Sequence, residues 1–561
     1  METYQYEDGY SLTLSREIKT IEGDKNAPTI QIFQDKDLQN NIVKSGYLNR
    51  NLEYATIYEY DYTGKMKAQL TAKDKEQGCD YTIRYETDYD GNILSQTSDK
   101  NTVTKYQYDL MGRVISITDP NGNTAQYTYN EQSQLIEAEI PLTSNSNTIK
   151  KYQYDPKGNM TKQSISSSQP GETIQYRDTY YEYNQRDFLV KVTNLDDEQE
   201  YYTEYTYDAA GNLTSTATGN GANITSYTYN SLNQLIELTD PMGESETYSY
   251  DLNNNLIGRT DRNQNRLTIT YNALNQPLKT TVIQPDGKVL SQENSYAVNG
   301  AVIKEENENI KTSFYYDNQG RIIKEEDNTG TAQTYTYDLA GNRLDYQLKQ
   351  NSQSQINLTY TYDKQNRLTE VKENNSLTAA YSYDPNGNCT LIQYDNGIQT
   401  DLTYNNANRI TQMNNKIGET TLSGYACTYY LDGNQESKTD HQNQLTTYEY
   451  DGLGRLKTET EADIDTQYTY DLSGNRIKKY ISGTTPVEIN YLYDANDRLI
   501  WEETETENNI LAATEYYYDA NGNQISKIYN DLTDQSGAAA GISLEPRTNI
   551  TNTMNTTDLT D

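Results

Sequence analysis

The sequence predicts an all-β repeat fold in which a tyrosine-rich hairpin of about 21 residues recurs along nearly the whole chain. Three observations predict it. Tyr occurs 56 times against three Phe and one Trp; Tyr-x-Tyr-Asp strings recur; and a Gly or Asn follows the Asp at a fixed offset. Length alone, 561 residues, would suggest several ordinary domains, but a short internal period takes precedence because repeat arrays grow by stacking.

The first strand comes from alternation. In Tyr106-Gln107-Tyr108-Asp109, Tyr205-Thr206-Tyr207-Asp208, Tyr335-Thr336-Tyr337-Asp338, Tyr381-Ser382-Tyr383-Asp384 and Tyr468-Thr469-Tyr470-Asp471 the two tyrosines lie two apart. They therefore share one face of a strand, with Thr, Ser or Gln on the other. Hydrophobic residues make up only 34% of the chain, so Tyr must supply much of the buried area and keep its hydroxyl at a wet margin. A thin layer is expected.

The turn follows. Asp109 and Gly112 are three apart, and so are Asp208 and Gly211, Asp338 and Gly341, Asp384 and Gly387, and Asp471 and Gly474. Asp155 and Gly158, Asp317 and Gly320, Asp451 and Gly454, and Asp519 and Gly522 share that offset. Asp first and Gly fourth fit a type I turn, whose Asp carboxylate accepts backbone N–H bonds and whose Gly tolerates a left-handed backbone. Asn233, Asn254, Asn275, Asn366 and Asn408 replace that Gly, and Asn is the next most tolerant residue. A catalytic carboxylate would not be repeated this often, so these residues read as turn formers.

A second strand, such as Asn212-Leu213 or Arg455-Leu456, and a second polar turn, such as Asp119-Pro120-Asn121-Gly122, complete the unit. Two strands alone are marginal in water, so each hairpin must pair with its neighbours. Roughly twenty units are expected over residues 54–530, after a degenerate β segment at 1–53. The Gly537-Ala538-Ala539-Ala540-Gly541 stretch and the Thr/Asn-rich end make 531–561 a polar tail, expected to be disordered.

Function classes are narrowed by count. A net charge of -36 disfavours nucleic acid and anionic lipid. Cys79, Cys389 and Cys427 are an odd number without metal-like spacing, and His441 is the only histidine, so a His-based triad is excluded. Nothing matches an EF-hand loop, the acidic run 194–198 included, and pairs such as Glu370 and Glu373 are expected by chance among 82 acids. No catalytic, cofactor or metal site is expected, and the chain reads as no enzyme. The first residues lack a basic region and an apolar stretch, so no signal peptide is visible, and no run of 18 apolar residues could form a membrane-spanning helix.

Units such as YTYDAAGNL at 205–213 and YTYDLAGNRL at 335–344 resemble the YD repeats of the Rhs family. That family includes bacterial polymorphic toxins, the cocoon component of insecticidal toxin complexes and the extracellular part of teneurins. The resemblance implies a long antiparallel strip of hairpins spiralling into a hollow shell or curved wall. In toxin members that shell encloses a C-terminal toxic domain beside a self-cleaving core region. The Tyr and Asp of the motif carry over as strip-building residues at Tyr207, Tyr337, Tyr470, Asp208, Asp338 and Asp471. The signature that ends the family's core region is missing; Asp119-Pro120-Asn121-Gly122 lies among early repeats without the rest of it. The expectation is a secreted or surface-displayed bacterial shell, or a fragment of a larger one. Its partner would be an enclosed or separately encoded toxin domain. The alternative is an adhesion module that holds a surface glycan or protein.

Overall fold

A computed structural model of the chain describes residues 2–5, 15–21, 30–37, 40–49, 52–61, 64–72, 80–98, 102–317, 319–338, 340–507 and 509–531. The expected polar tail, apart from residue 531, lies outside these residues, as do Cys79 and the residue 6–9 portion of the N-terminal segment. The described residues form a single 46-stranded sheet and no helix, from β1 (Glu2–Gln5) to β46 (Gln524–Asp531) in chain order. Each strand pairs antiparallel with the one before it and the one after it, as in β9 (Val103–Tyr108), β10 (Val114–Thr118) and β11 (Thr124–Tyr129). The sheet is thus one continuous meander. Every strand pairing along it is between sequence neighbours, which keeps the loop-closure cost of each added strand low.

Alternation places the tyrosines as expected. In β9, Tyr106 and Tyr108 are half-buried while Lys105 and Gln107 are exposed; in β11, Tyr127 and Tyr129 are half-buried between exposed Gln126 and Thr128. Fully buried apolar residues are few among the described residues: Phe33, Leu142, Leu431, Cys427 and six alanines. Among the described residues there is one sheet and no second layer over it, so the core is the thin layer of half-buried Tyr rings.

Hairpins closed by the first turn of a unit have a bulge beside that turn, whereas the hairpin of β10 and β11, closed by a second turn, has none. Tyr108 pairs with Val114 but Gln107 pairs with Ser116, which leaves one extra residue on β10. The same shift recurs at Tyr129, Tyr207, Tyr337, Tyr383 and Tyr470. Bulges raise local twist and bend the strand. Repeated at one rim, they curl the strip.

The curl brings the strip back onto itself. The turn between β10 and β11 meets the turn between β33 (Ser376–Tyr383) and β34 (Cys389–Tyr394), twenty-three strands further on. Seven other contacts keep that offset, from Gln365 on Ser98 and Thr102 to Asn521 on Asp261. An odd offset is required, because only then does the lower rim of one wrap meet the upper rim of the next. Twenty-three strands at about 4.8 Å make a circuit of about 110 Å, or a circle about 35 Å across at the backbone. Side chains reaching about 5 Å inward leave a lumen about 25 Å wide.

Candidate functional site

The repeated turn is the polar constellation that recurs along the described residues, and it is built from five contributions. The first is the Asp backbone. In the 109–113 turn the Gly112 N–H donates to the Asp109 carbonyl at 3.0 Å, and the Asp109 N–H donates to the Arg113 carbonyl at 3.0 Å. The equivalent bond runs from Gly211 to Asp208 at 3.2 Å, from Gly341 to Asp338 at 3.1 Å, from Gly387 to Asp384 at 3.0 Å and from Gly474 to Asp471 at 3.2 Å.

The second is the fourth residue, which lies in the left-handed region. There φ is +76° at Gly112, +95° at Gly211, +92° at Gly341, +92° at Gly387 and +96° at Gly474. The other four glycines at that offset, Gly158, Gly320, Gly454 and Gly522, have φ of +101°, +79°, +80° and +87°. Asn233 takes the position at +60°, with Asn254, Asn275, Asn366 and Asn408 between 59° and 69°. Ser133, Asp187 and Asp497 also occupy it, near +60°.

The third is the Asp carboxylate. In Asp109, Oδ1 accepts the N–H groups of Met111 at 2.9 Å and Arg113 at 3.0 Å, while Oδ2 accepts Arg113 Nε at 2.6 Å. In the turns of Asp208, Asp338, Asp384 and Asp471 the fifth residue is Asn, whose side-chain amide donates to Oδ2 at 2.9, 2.8, 2.8 and 3.1 Å. The Arg113 side chain holds the Asp109 carboxyl below the usual carboxylate range, and the Asn212 side chain does so for Asp208. At Asp384 burial pushes the carboxyl up, but bonds from Asn388 and Asn121 outweigh it and the carboxyl is lowered.

The fourth contribution is that fifth residue, which the sequence reading passed over. It ties its own turn to the next repeat. Arg113, Arg321 and Arg367 donate to the carbonyls of Asn130, Asp338 and Asp384 at 2.8, 2.7 and 3.0 Å, and their guanidiniums lie 5.0, 4.7 and 4.7 Å from the rings of Tyr129, Tyr337 and Tyr383. Asn342 and Asn388 also reach the next repeat, but their Nδ2 groups donate to the side-chain Oδ1 atoms of Asn366 and Asn408, at 2.9 and 2.8 Å. The recurring residue five places into each turn was the available signal.

The fifth is the tyrosine hydroxyl. The second Tyr of the motif donates to the first carbonyl of a strand in the preceding repeat: Tyr108 to Ile93 at 2.9 Å, Tyr207 to Leu189 at 2.9 Å, Tyr383 to Leu368 at 2.7 Å and Tyr470 to Leu456 at 2.7 Å. Eighteen tyrosines make this bond among the described residues. The acceptor sits at the bulge, where the ladder is interrupted. Burial raises the hydroxyl pKa of Tyr108, Tyr207, Tyr383 and Tyr470, so each stays a neutral donor, and it raises that of Tyr337 as well.

Where wraps meet, two such turns clasp each other. Asn121 Nδ2 donates to Asp384 Oδ2 at 3.0 Å, and Asn386 Nδ2 returns a bond to Asp119 Oδ2 at 2.7 Å. Asn263 with Asp519, and Asn521 with Asp261, repeat the exchange at 2.8 and 2.9 Å. The carboxylates are thus used as acceptors for turn and seam. Among the described residues no three His, Cys, Asp or Glu side chains gather as a metal site, and Cys389 and Cys427 are free thiols. No helix of the described residues is long and apolar enough to cross a membrane.

These features define a repeat protein that builds a wall, with its polar groups committed to holding neighbouring units together. The Teneurin YD-shell family model matches residues 191–347 and 332–536, and the RHS Repeat model matches 88–124 and 112–144; the chain belongs to the YD-shell family. Among solved structures, one titled "Crystal Structure of TcdB2-TccC3-TEV" superposes with a TM-score of 0.52 at 11% identity, over 91% of this chain and 35% of that one. TcdB2-TccC3 without its hypervariable C-terminal region gives 0.52 at 12% identity, over 90% and 32%; TcdB2-TccC3-Cdc42 gives 0.50 at 11%, over 94% and 34%. This chain spans about a third of the length of those chains, and at such identity the likeness is one of fold. No curated protein matches the sequence. The YD strip is a structural shell scaffold.

Proposed function

We propose that the chain is a non-catalytic wall of a secreted, toxin-type shell and that it surrounds a polypeptide cargo, either a separately encoded toxin domain or another part of a longer protein. The observation that carries this reading is the seam with its constant offset of twenty-three strands, which turns a ribbon into a wall around a lumen. The solved structures of similar fold are titled as TcdB2-TccC3 assemblies, which supports a toxin-related setting. Division into a degenerate β segment at 1–53, a YD array at 54–530 and a tail belongs to the same proposal. The adhesion alternative is less favoured. Its aromatic platform would need open ring faces, whereas Tyr129, Tyr337, Tyr383 and Tyr470 are half-buried and capped by guanidinium groups.

Co-expression with neighbouring genes followed by limited proteolysis tests enclosure. A polypeptide that co-purifies in fixed ratio and survives protease until the wall is unfolded supports the reading. A co-purifying polypeptide cut equally fast with and without the wall overturns it.

A further inference from the structure

We propose that the 430–433 turn and the 167–175 loop form a key that fixes the register in which the two wraps meet. Register needs fixing because the rims are repetitive. Sliding one wrap past the other by one hairpin again sets lower rim against upper rim. A solvated clasp such as Asn121 on Asp384 loses little in the slide, because water or another polar turn replaces it. Of the eight turns that the second wrap presents to the seam, seven open on Asp or Asn, from Asp363 to Asp519. The other is Tyr430-Leu431-Asp432-Gly433, which lacks the opening carboxylate and carries one at its third position instead.

That turn meets an equally exceptional partner. Residues 167–175, between β14 (Met160–Ser166) and β15 (Tyr176–Tyr183), are longer than the first wrap's other connections at the seam. The Leu431 N–H donates to the Ser168 carbonyl at 3.0 Å, and the Leu431 carbonyl accepts the Thr148 hydroxyl. Arg177 Nη1 donates to Asp432 Oδ2 at 2.8 Å, an ion pair across the seam whose Asp side chain is only 4% exposed. The same guanidinium lies against Gly454 in the next turn of the second wrap, where a Cβ would collide with it. Leu431 is 4% exposed, and Thr148, Ser166 and Ser168 on the facing wrap are buried too. Leu472, the second residue of another seam turn, is 43% exposed, and among the eight turns only Leu431 is buried at that place.

A slip of one hairpin destroys this contact and rebuilds nothing in its place. It brings the 405–408 turn or the 451–454 turn over the 167–175 loop. Asn406 or Gly452 then stands in the place of Leu431, and Ala407 or Leu453 in the place of Asp432. Arg177 finds no carboxylate at the third turn position, and the space between Ser168 and Thr148 loses its apolar filler. A buried ion pair deprived of one partner is costly, whereas the intact pair adds little stability, so such a contact acts chiefly on which arrangement is chosen. The key works in the same way whatever the wall surrounds.

Oxidative cross-linking of cysteine pairs in the full chain reads the register, with linked peptides identified by mass spectrometry. Asn121→Cys with Asn386→Cys reports the native offset. Asn121→Cys with Gln365→Cys, in the turn before β32 (Leu368–Glu373), or with Ala407→Cys reports a slip in either direction. The key is removed by Tyr430→Asp/Leu431→Pro/Asp432→Asn, which makes 430–433 a copy of the Asp384-Pro385-Asn386-Gly387 turn and so keeps a backbone the chain already uses. With the key intact the native pair alone should link. In the triple variant the slipped pairs should link at least about tenfold more than with the key intact. Arg177→Gln, which removes only the ion pair, should move the same ratio the same way by a smaller factor, and its result decides if the triple variant loses its far-UV circular dichroism. Unchanged ratios would overturn the proposal. Loss of all three links would overturn it too, since the contact would then be a fastener and not a selector of register.

Discussion

Replacing Tyr383 by Phe isolates the tyrosine ladder from everything else the ring does. The hydroxyl donates to the Leu368 carbonyl at 2.7 Å, and the ring lies 4.7 Å from the Arg367 guanidinium. Phe keeps the ring and its cation contact and removes only the bond to the bulge carbonyl. A hydrogen bond of this kind contributes about 1 kcal/mol net, since water competes for both partners. In a wall whose units touch mainly their neighbours the loss stays local, so opening of that hairpin is favoured about fivefold. Hydrogen exchange read by mass spectrometry should show that acceleration over β32, β33 and β34, with residues 230–260 unchanged. Equal rates in both proteins would show that the hydroxyl is not a strut. Acceleration spread over the whole chain would contradict nearest-neighbour coupling.

Gly341→Val should destabilise its turn by about 1 kcal/mol or more, because φ there is +92° and the nearest neighbour of an added Cβ, Arg321 Nη1 at 3.9 Å, leaves room; an unchanged urea midpoint would count against the backbone argument. Gly452→Ala should loosen the seam instead, since a Cβ would come within 2.6 Å of the Leu195 carbonyl oxygen, and faster proteolysis near residues 195–197 is the expected readout. In acid, the Asp109, Asp208 and Asp384 carboxyls have folded pKa values below their unfolded ones. Their stabilisation is therefore present above about pH 4 and lost as pH falls through the folded values. In alkali the sign reverses: the Tyr383 hydroxyl is raised and that of Tyr450 is pushed up to about 12, chiefly by burial. The neutral ladder is thus retained below about pH 10 and lost as pH rises through the folded values. Circular dichroism against pH should show a plateau between these limits, and a protein stable through both ends would refute the assignments.

The parts legible in the sequence were those written locally. Alternation of Tyr with Thr, Ser or Gln fixes a half-buried strand. The need for positive φ makes Gly211, Gly387 and Gly474 readable as turn residues, and it explains why Asn233, Asn254, Asn275, Asn366 and Asn408 could be recognised in place of Gly. Turns without the expected opening residue were harder to see. The 297–300 turn opens on Ala and the 430–433 turn on Tyr, yet both make the same backbone bonds, because the fourth residue and the flanking strands are enough. The role of Arg113, Arg321 and Arg367 was missed because a residue after a turn reads as the start of a strand, and its second partner lies in the next repeat. The seam was out of reach for a different reason. Asn121 and Asp384 are separated by 263 residues, and their meeting depends on twist summed over twenty-three strands and their bulges, a quantity no single unit records.

The central claim is that this strip closes on itself every twenty-three strands, and an engineered disulfide across the seam tests it most directly. The Asn121 N–H donates to Asn386 Oδ1 at 3.0 Å, so these two residues touch across the seam and are the pair to replace by cysteine. Asn121→Cys/Asn386→Cys should therefore oxidise rapidly to a single cross-linked band. Asn121→Cys paired with Gln365→Cys or Ala407→Cys, one hairpin out of register on either side, should not. Equal cross-linking of all three pairs, or of none, would contradict the two-wrap wall.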